Sequence, residues 1–144
     1  MAVPARISIV TLGVADLDRS IAFYEALGWE RASSSVDGEI SWFRTADTYL
    51  GLFGHDALAA DAELPAGERG PFGGVTLAIC LENEAACDDA MDAAVRAGGT
   101  VLKRPQRAEW GGYSGYFADP DGHPWEVAHN PNFPIGDDGR VTIP

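Results

Sequence analysis

The feature that most constrains this chain is a strand-helix-strand order that occurs twice along its 144 residues. Residues 6–14 alternate and are rich in β-branched side chains, which predicts a strand, and a helix ending at Gly28 follows. A strand and a helix over 74–97 repeat that order, and Val-Thr-Leu occurs early in both first strands, at 10–12 and 75–77. Two halves too small to bury their own sheets are expected to pair into one core.

Three short strands are predicted after each helix. They are expected near 29–35, 39–45 and 48–54 in the first half, and near 100–105, 112–118 and 124–129 in the second. Residues 55–73 combine prolines, glycines and acids with no sustained period, which predicts a loop.

The predicted fold is therefore α+β, with two βαβββ repeats that form paired, curved mixed sheets around a cavity and helices outside. The chain is expected to be one domain over 1–144. Its parts are repeat one at 6–54, the loop at 55–73, repeat two at 74–131 and a C-terminal tail at 132–144.

The charge of the chain excludes two classes of partner. A net charge of −12 and a pI near 4.4 repel phosphate backbones and anionic lipids, so neither nucleic acid nor a membrane is expected as a partner. No secretory signal or apolar run of membrane-spanning length occurs, which predicts a cytoplasmic protein. The two cysteines, Cys80 and Cys87, are too few for a disulfide scaffold or a zinc ligand set, and buried structural thiols are expected.

Two segments carry a resemblance to a known family: Val-Thr-Leu-Gly-Val-Ala-Asp-Leu-Asp-Arg-Ser-Ile-Ala-Phe-Tyr-Glu-Ala-Leu-Gly-Trp at 10–29 and Gly-Tyr-Phe-Ala-Asp-Pro-Asp-Gly-His-Pro-Trp-Glu-Val-Ala at 115–128. With them the chain resembles the vicinal oxygen chelate superfamily of glyoxalase I, bleomycin-resistance proteins and extradiol dioxygenases. The resemblance implies the paired-repeat fold, and a homodimer as partner state. It does not imply one activity, because this fold supports isomerases, lyases, dioxygenases and binders.

The resemblance also implies where a metal would bind. Metal-dependent relatives hold one divalent ion with four side chains on four strands. The corresponding positions here are Ile9, Gly51, either Val75 or Thr76, and Glu126. Only Glu126 is such a ligand, so no metal site and no cofactor are expected, although a divalent metal is not ruled out. Glyoxalase I and dioxygenase chemistry are disfavoured.

Strand alternation sorts the residues around Glu126. If Glu126 faces the cavity as in the relatives, Trp125 points to the helix layer and belongs to the core. The same register turns Ser114 and Tyr116 toward the cavity and their neighbours away from it. A buried Glu126 carboxylate is expected either to have a raised pKa or to be paired with Arg44 or a tyrosine hydroxyl. A Glu126 carboxyl with a raised pKa would suit a general base. The alternative is that Glu126 bonds to its neighbours and only shapes the pocket.

Four further residues are candidate ligand-binding groups. Trp42 and Arg44 share a strand face, and either they line the cavity or Trp42 packs and Arg44 decorates the rim. Trp110 lies in a glycine-containing loop, where it either covers a bound ring or packs locally. His55 is either a solvated side chain or part of a loop that folds over the cavity.

The leading functional hypothesis is a metal-free small-molecule binder similar to bleomycin-resistance proteins, which sequesters an aromatic or cationic compound. The alternative is a glyoxalase-like lyase or isomerase that uses Glu126 as base, with or without an atypical metal site completed by His55 or a second subunit. A third hypothesis is an interaction module whose pocket is filled by its own side chains.

Overall fold

The computed structural model describes Val3, residues 5–68, Gly70 and residues 72–144. The chain divides into two compact units, Met1–Ala66 and Gly67–Pro144. In the described residues, unit 1 contains β1 (Ile9–Val14), α1 (Leu17–Ala26), β2 (Ile40–Arg44), β3 (Tyr49–Gly54) and α2 (His55–Asp61). Unit 2 contains β4 (Leu77–Cys80), α3 (Glu84–Arg96), β5 (Thr100–Arg107), β6 (Tyr113–Ala118) and β7 (Pro124–His129). The predicted α+β class with two mixed sheets is confirmed.

Local sequence determines where α1 begins and ends. The Asp16 side chain accepts a hydrogen bond from the Arg19 backbone N–H at 3.0 Å and caps the first turn. Gly28 follows the helix with φ of 89°, a left-handed conformation that favours glycine over other residues. In α3, Asn83 provides the equivalent cap, through a 2.7 Å bond from the Ala86 N–H.

Sheet I, in unit 1, has the strand order β1-β3-β2, with β1 parallel and β2 antiparallel to β3. One face of this sheet packs against α1. Tyr24 of α1 is fully buried and lies 5.8 Å from the Phe43 ring, measured between centroids. The buried aliphatic side chains of the unit are those of Leu12, Val14, Ile21, Leu50 and Leu52. The apolar alternation of the strands therefore supplies one half of a helix-on-sheet core.

Two secondary-structure predictions in unit 1 are wrong. Residues 29–35 form no strand, and this stretch contributes only the isolated bridge from Arg31 to Phe43. The predicted loop at 55–73 begins with a helix, His55–Asp61, whose alanine-rich sequence favours helix formation without an apolar period. The first repeat accordingly has three strands in the described residues where four were expected.

Sheet II, in unit 2, has the order β4-β7-β6-β5, with β4 parallel to β7 and the other neighbours antiparallel. Cys87, Met91 and Ala94 of α3 are buried against one face of this sheet. On that face, the Phe117 and Trp125 rings stack with centroids 6.4 Å apart. Trp125 is 5% exposed, so the prediction that it belongs to the core is confirmed.

The C-terminal tail follows β7 and belongs to neither sheet. The tail forms a short hairpin through the isolated bridge between Ile135 and Val141. Among the described residues, no helix has both the length and the apolar character needed to cross a lipid bilayer.

Candidate functional site

Each sheet has a second face, opposite its long helix, which we call the open face. On the open face of sheet II, Glu126 of β7 lies directly across from Tyr116 of β6. Both side chains are partly exposed, whereas the neighbours Trp125, Val127 and Phe117 are buried on the helix face. The alternation of faces predicted for these strands is therefore confirmed.

Tyr116 and Glu126 are cross-strand neighbours that interact electrostatically. Burial, the negative charge of Glu126 and the side-chain hydrogen bond to it all raise the pKa of Tyr116. The phenol is therefore protonated at neutral pH and has a proton that it can donate to the carboxylate. Of the two partners expected for Glu126, Tyr116 lies across from it on the neighbouring strand, and their pairing stays a prediction. Arg44 bonds instead to the Tyr49 hydroxyl at 3.2 Å and lies 3.7 Å from the Glu30 carboxylate.

Small side chains surround this pair. Ala78 of β4 lies across from Glu126 on the other side, and one row further along lie Cys80, Ala128 and Ser114. The Glu126 carboxylate is therefore larger than the side chains at these neighbouring positions, and it is partly exposed. Burial and, second, the charge of Glu126 raise the pKa of the Cys80 thiol, so Cys80 is a neutral group at physiological pH.

Trp110 folds back over the start of β6. The Ala108 N–H bonds to the Gly112 carbonyl at 2.9 Å, which continues the β5–β6 ladder into the loop. The indole ring of Trp110 occupies the position where a Cβ on Gly112 would stand. Because Gly112, Ser114 and Tyr116 alternate along one strand, this position is on the open face. Trp110 is 54% exposed, so the indole is still accessible to a planar ligand.

The open face of sheet I is built from larger groups. A Cβ on Gly51 would meet the Thr11 Oγ1 at 3.0 Å and the Trp42 Cδ1 at 3.4 Å, so the Trp42 indole closes over the centre of β3. Arg44 lies across from Tyr49, with its guanidinium carbon 6.0 Å from the ring centroid. Trp42 and Arg44 of β2 therefore lie on a face of aromatic and aliphatic groups. Their role in ligand binding stays a prediction.

The histidines make local contacts in the described chain. His55 starts α2, packs over Gly13, and has its Nε2 3.1 Å from the Ala66 carbonyl oxygen. The His129 Nδ1 lies 3.0 Å from the Leu81 carbonyl oxygen, and alternation puts this ring on the face opposite Glu126. His55 and Glu126 belong to different units, and a joint role for them stays a prediction.

At two of the four positions expected to hold a metal, the residues do not fit an ion. Ile9 has no donor atom, and position 51 is closed by Thr11 and Trp42, which leave little space even for a Cβ. In the described parts of the chain, no three His, Cys, Asp or Glu side chains are grouped so that they could hold a metal ion. The side chain that lies across from the Glu126 carboxylate on β6 is the phenol of Tyr116.

Lys103 is the residue of this face that sequence reasoning missed. It lies across from Tyr116, and β5 shifts register between Val101 and Lys103 and again between Lys103 and Gln106. The sequence signal was Pro105 within a strand, which is typical of a bulge or an edge strand.

Comparison with known proteins agrees with this architecture. Residues 6–127 match the model of the Glyoxalase/Bleomycin resistance protein/Dioxygenase superfamily. A glyoxalase-related enzyme from Fulvimarina pelagi has a similar structure, with a TM-score of 0.86 and 34% identity over 97% of this chain and 99% of that one.

Two further structures are more distant. A lactoylglutathione lyase from Agrobacterium tumefaciens has a TM-score of 0.67 and 27% identity over 88% of this chain and 95% of that one. A family enzyme from Burkholderia phytofirmans PsJN has a TM-score of 0.76 and 20% identity over 85% and 96%, which supports the fold alone. No curated protein matches the sequence. Because the family model spans most of the chain, with the first motif and all but the last residue of the second, the protein belongs to the glyoxalase/bleomycin resistance protein/dioxygenase superfamily.

Proposed function

We propose that this protein is a metal-free small-molecule binder that takes an aromatic, cationic compound on the open face of sheet II. The observation that carries the proposal is the combination on one face of an accessible indole, Trp110, and the Tyr116–Glu126 pair above small side chains. An indole favours planar rings and cations, and a carboxylate favours an ammonium group.

The protonation of the pair supports a cation rather than an anion as ligand. Tyr116 is a neutral phenol that can donate to Glu126, and the carboxylate has further acceptor positions for a ligand N–H. A ligand N–H can bond to Glu126 without displacing the phenol. The overall charge of −12 attracts cations to the protein from a distance, which favours the same class of ligand.

Phenethylamine and 2-phenylethanol form a matched pair of probes, because they differ mainly in the charged group. We expect the amine to bind more tightly than the alcohol by isothermal titration calorimetry, and Glu126→Gln to weaken amine binding roughly tenfold. Trp110→Ala should weaken both probes, by about two- to tenfold, because it removes the stacking surface.

Asp92→Asn is the control for the loss of one negative charge, since Asp92 is an exposed carboxylate on the far side of unit 2, on α3. It should leave amine binding unchanged within about a factor of two. Equal losses of amine affinity in Glu126→Gln and Asp92→Asn would mean that only the overall negative charge of the protein attracts the probe. Equal affinity for amine and alcohol would contradict the proposal.

An isomerase or lyase is the second candidate, favoured by the neighbouring carboxylate and phenol and by the 27% identity to a lactoylglutathione lyase. In such a reaction Glu126 would remove a proton from carbon next to a carbonyl and return it to the neighbouring carbon. Incubation of the hemithioacetal of methylglyoxal and glutathione in D₂O, followed by proton NMR, tests it. Turnover or deuterium uptake that Glu126→Gln abolishes would favour the enzyme. The absence of both signals would favour the binder.

A further inference from the structure

The edge strand of sheet II is distorted around one cation. β5 has eight residues and its partner β6 has six, and two register shifts, one on each side of Lys103, accommodate the excess. Bulges of this kind re-aim side chains and are frequent beside functional sites.

The first shift turns Lys103 to the open face. In a regular strand Val101 and Lys103 would point to the same side. Val101 instead lies across from Phe117, which is buried on the helix face, whereas Lys103 lies across from Tyr116 on the open face. The extra residue, Leu102, is 55% exposed and contributes no core packing that would explain the distortion.

The second shift is held by a close backbone approach. A Cβ on Gly115 would lie 2.6 Å from the Pro105 nitrogen and 2.7 Å from the Lys103 carbonyl oxygen. Only a glycine at this position of β6 allows the backbone of β5 to come so near. The glycine of one strand and the proline of the other thus fix the segment that carries Lys103.

The result is a row of four residues across the open face, in the order Lys103, Tyr116, Glu126 and Ala78. Facing residues on neighbouring strands are about 5 Å apart, so the Cα atoms of Lys103 and Glu126 are separated by roughly 10 Å, with the phenol between them. A small molecule fits this spacing if it carries a cation toward Glu126 and an anion toward Lys103.

We propose that the ligand of this face is an aromatic zwitterion, with its ammonium group at Glu126, its carboxylate at Lys103 and its ring against Trp110. This inference rests on the proposed function and adds a second charge to the ligand. Exposed Lys103 supplies a positive charge for the ligand carboxylate. Without it, the net charge of −12 on the protein would repel that carboxylate.

The test compares three probes by calorimetry at mildly acidic pH, where every amine is protonated: phenethylamine, phenylalaninamide and phenylalanine. We expect phenylalanine to bind about three- to fivefold more tightly than phenylalaninamide, the effect of one exposed charge contact. Lys103→Gln should remove this preference and should not weaken phenethylamine, which has no carboxylate and is repelled by the lysine. Arg104→Gln, which removes a neighbouring exposed cation, should retain the preference.

The outcomes separate the two proposals. If phenethylamine binds in a Glu126-dependent way but phenylalanine binds no more tightly than its amide, the zwitterion inference is wrong and the cationic binder stands. An equal loss of preference in Lys103→Gln and Arg104→Gln also overturns the inference, because the carboxylate would then sense only the general charge of β5. If none of the probes binds, both proposals fail.

Discussion

The two halves of this chain both begin with a β-α-β-β order but differ on their open faces. Sheet I presents Trp42, Tyr49 and the paired Arg44, and its central Gly51 lies beneath Thr11 and Trp42. Sheet II presents Glu126 and Tyr116 above small residues, with an indole at one end. Similar helix-on-sheet cores therefore support two different chemistries, and the charged, open half is the better candidate for binding.

The largest expected effect tests whether the two cores are equivalent. Phe43→Ala in unit 1 and Phe117→Ala in unit 2 each empty a position that is at most 1% exposed. Each should lower the free energy of unfolding by about 3–5 kcal/mol, measured by urea denaturation. Trp110→Ala should lower it by about 1 kcal/mol or less, because this side chain is mostly solvated. A loss at Trp110 as large as those at the phenylalanines would assign it to a core instead.

A glycine in each sheet sharpens the comparison further. In Gly115→Ala the new methyl group meets the β5 backbone, which cannot move aside easily, and we expect a loss of about 1–3 kcal/mol. In Gly51→Ala it meets the ends of two side chains, and the expected loss is under about 1 kcal/mol. Gly73→Ala, with open space around it, is the control for backbone effects. Equal losses at 51 and 115 would contradict the close approach of β5.

The pH dependence of stability distinguishes the core of unit 2. Burial, followed by the charge of Asp88, raises the pKa of the Cys87 thiol from 9.0 to about 11. The folded state therefore keeps this proton while the unfolded chain loses it, so stability falls as pH rises between those two values. The expected contribution is about 1–3 kcal/mol, and Cys87→Ala should flatten that part of the profile. An unchanged slope in the variant would contradict this assignment.

The smallest effect concerns the neighbourhood of Glu126. Since its charge helps to raise the pKa of the Cys80 thiol, Glu126→Gln should increase the thiolate fraction. We expect the reaction of Cys80 with a thiol reagent to accelerate by about two- to fivefold at fixed pH, measured in a Cys87→Ala background. Asp92→Asn is again the matched control, and equal acceleration in both variants would contradict a local contact.

The sequence predicted the elements with strong local signals. β7 was expected at 124–129 and is found there, and α3 ends at Arg96, one residue before the predicted end at 97, because alternation, caps and terminal glycines are local. The helix at 55–61 and the missing strand at 29–35 were mispredicted, since both depend on weak periodicity.

The candidate site was predictable only in part. Alternation in two regular strands correctly paired Glu126 with the face of Tyr116. The Lys103 position was not predictable, because a bulge reverses the alternation that such reasoning uses. The Trp110 contact with Gly112 depends on loop geometry that no periodic pattern encodes.

The most direct test of which half binds is a titration with phenethylamine followed by amide and indole chemical shifts in a ¹⁵N-labelled protein. The four tryptophans supply separate indole signals, two of them from Trp42 on sheet I and Trp110 on sheet II. We expect saturable shifts of the Trp110 indole and of the amides of Ser114, Tyr116 and Glu126. Shifts confined to Trp42 and its neighbours would contradict the central claim that the open face of sheet II is the binding face.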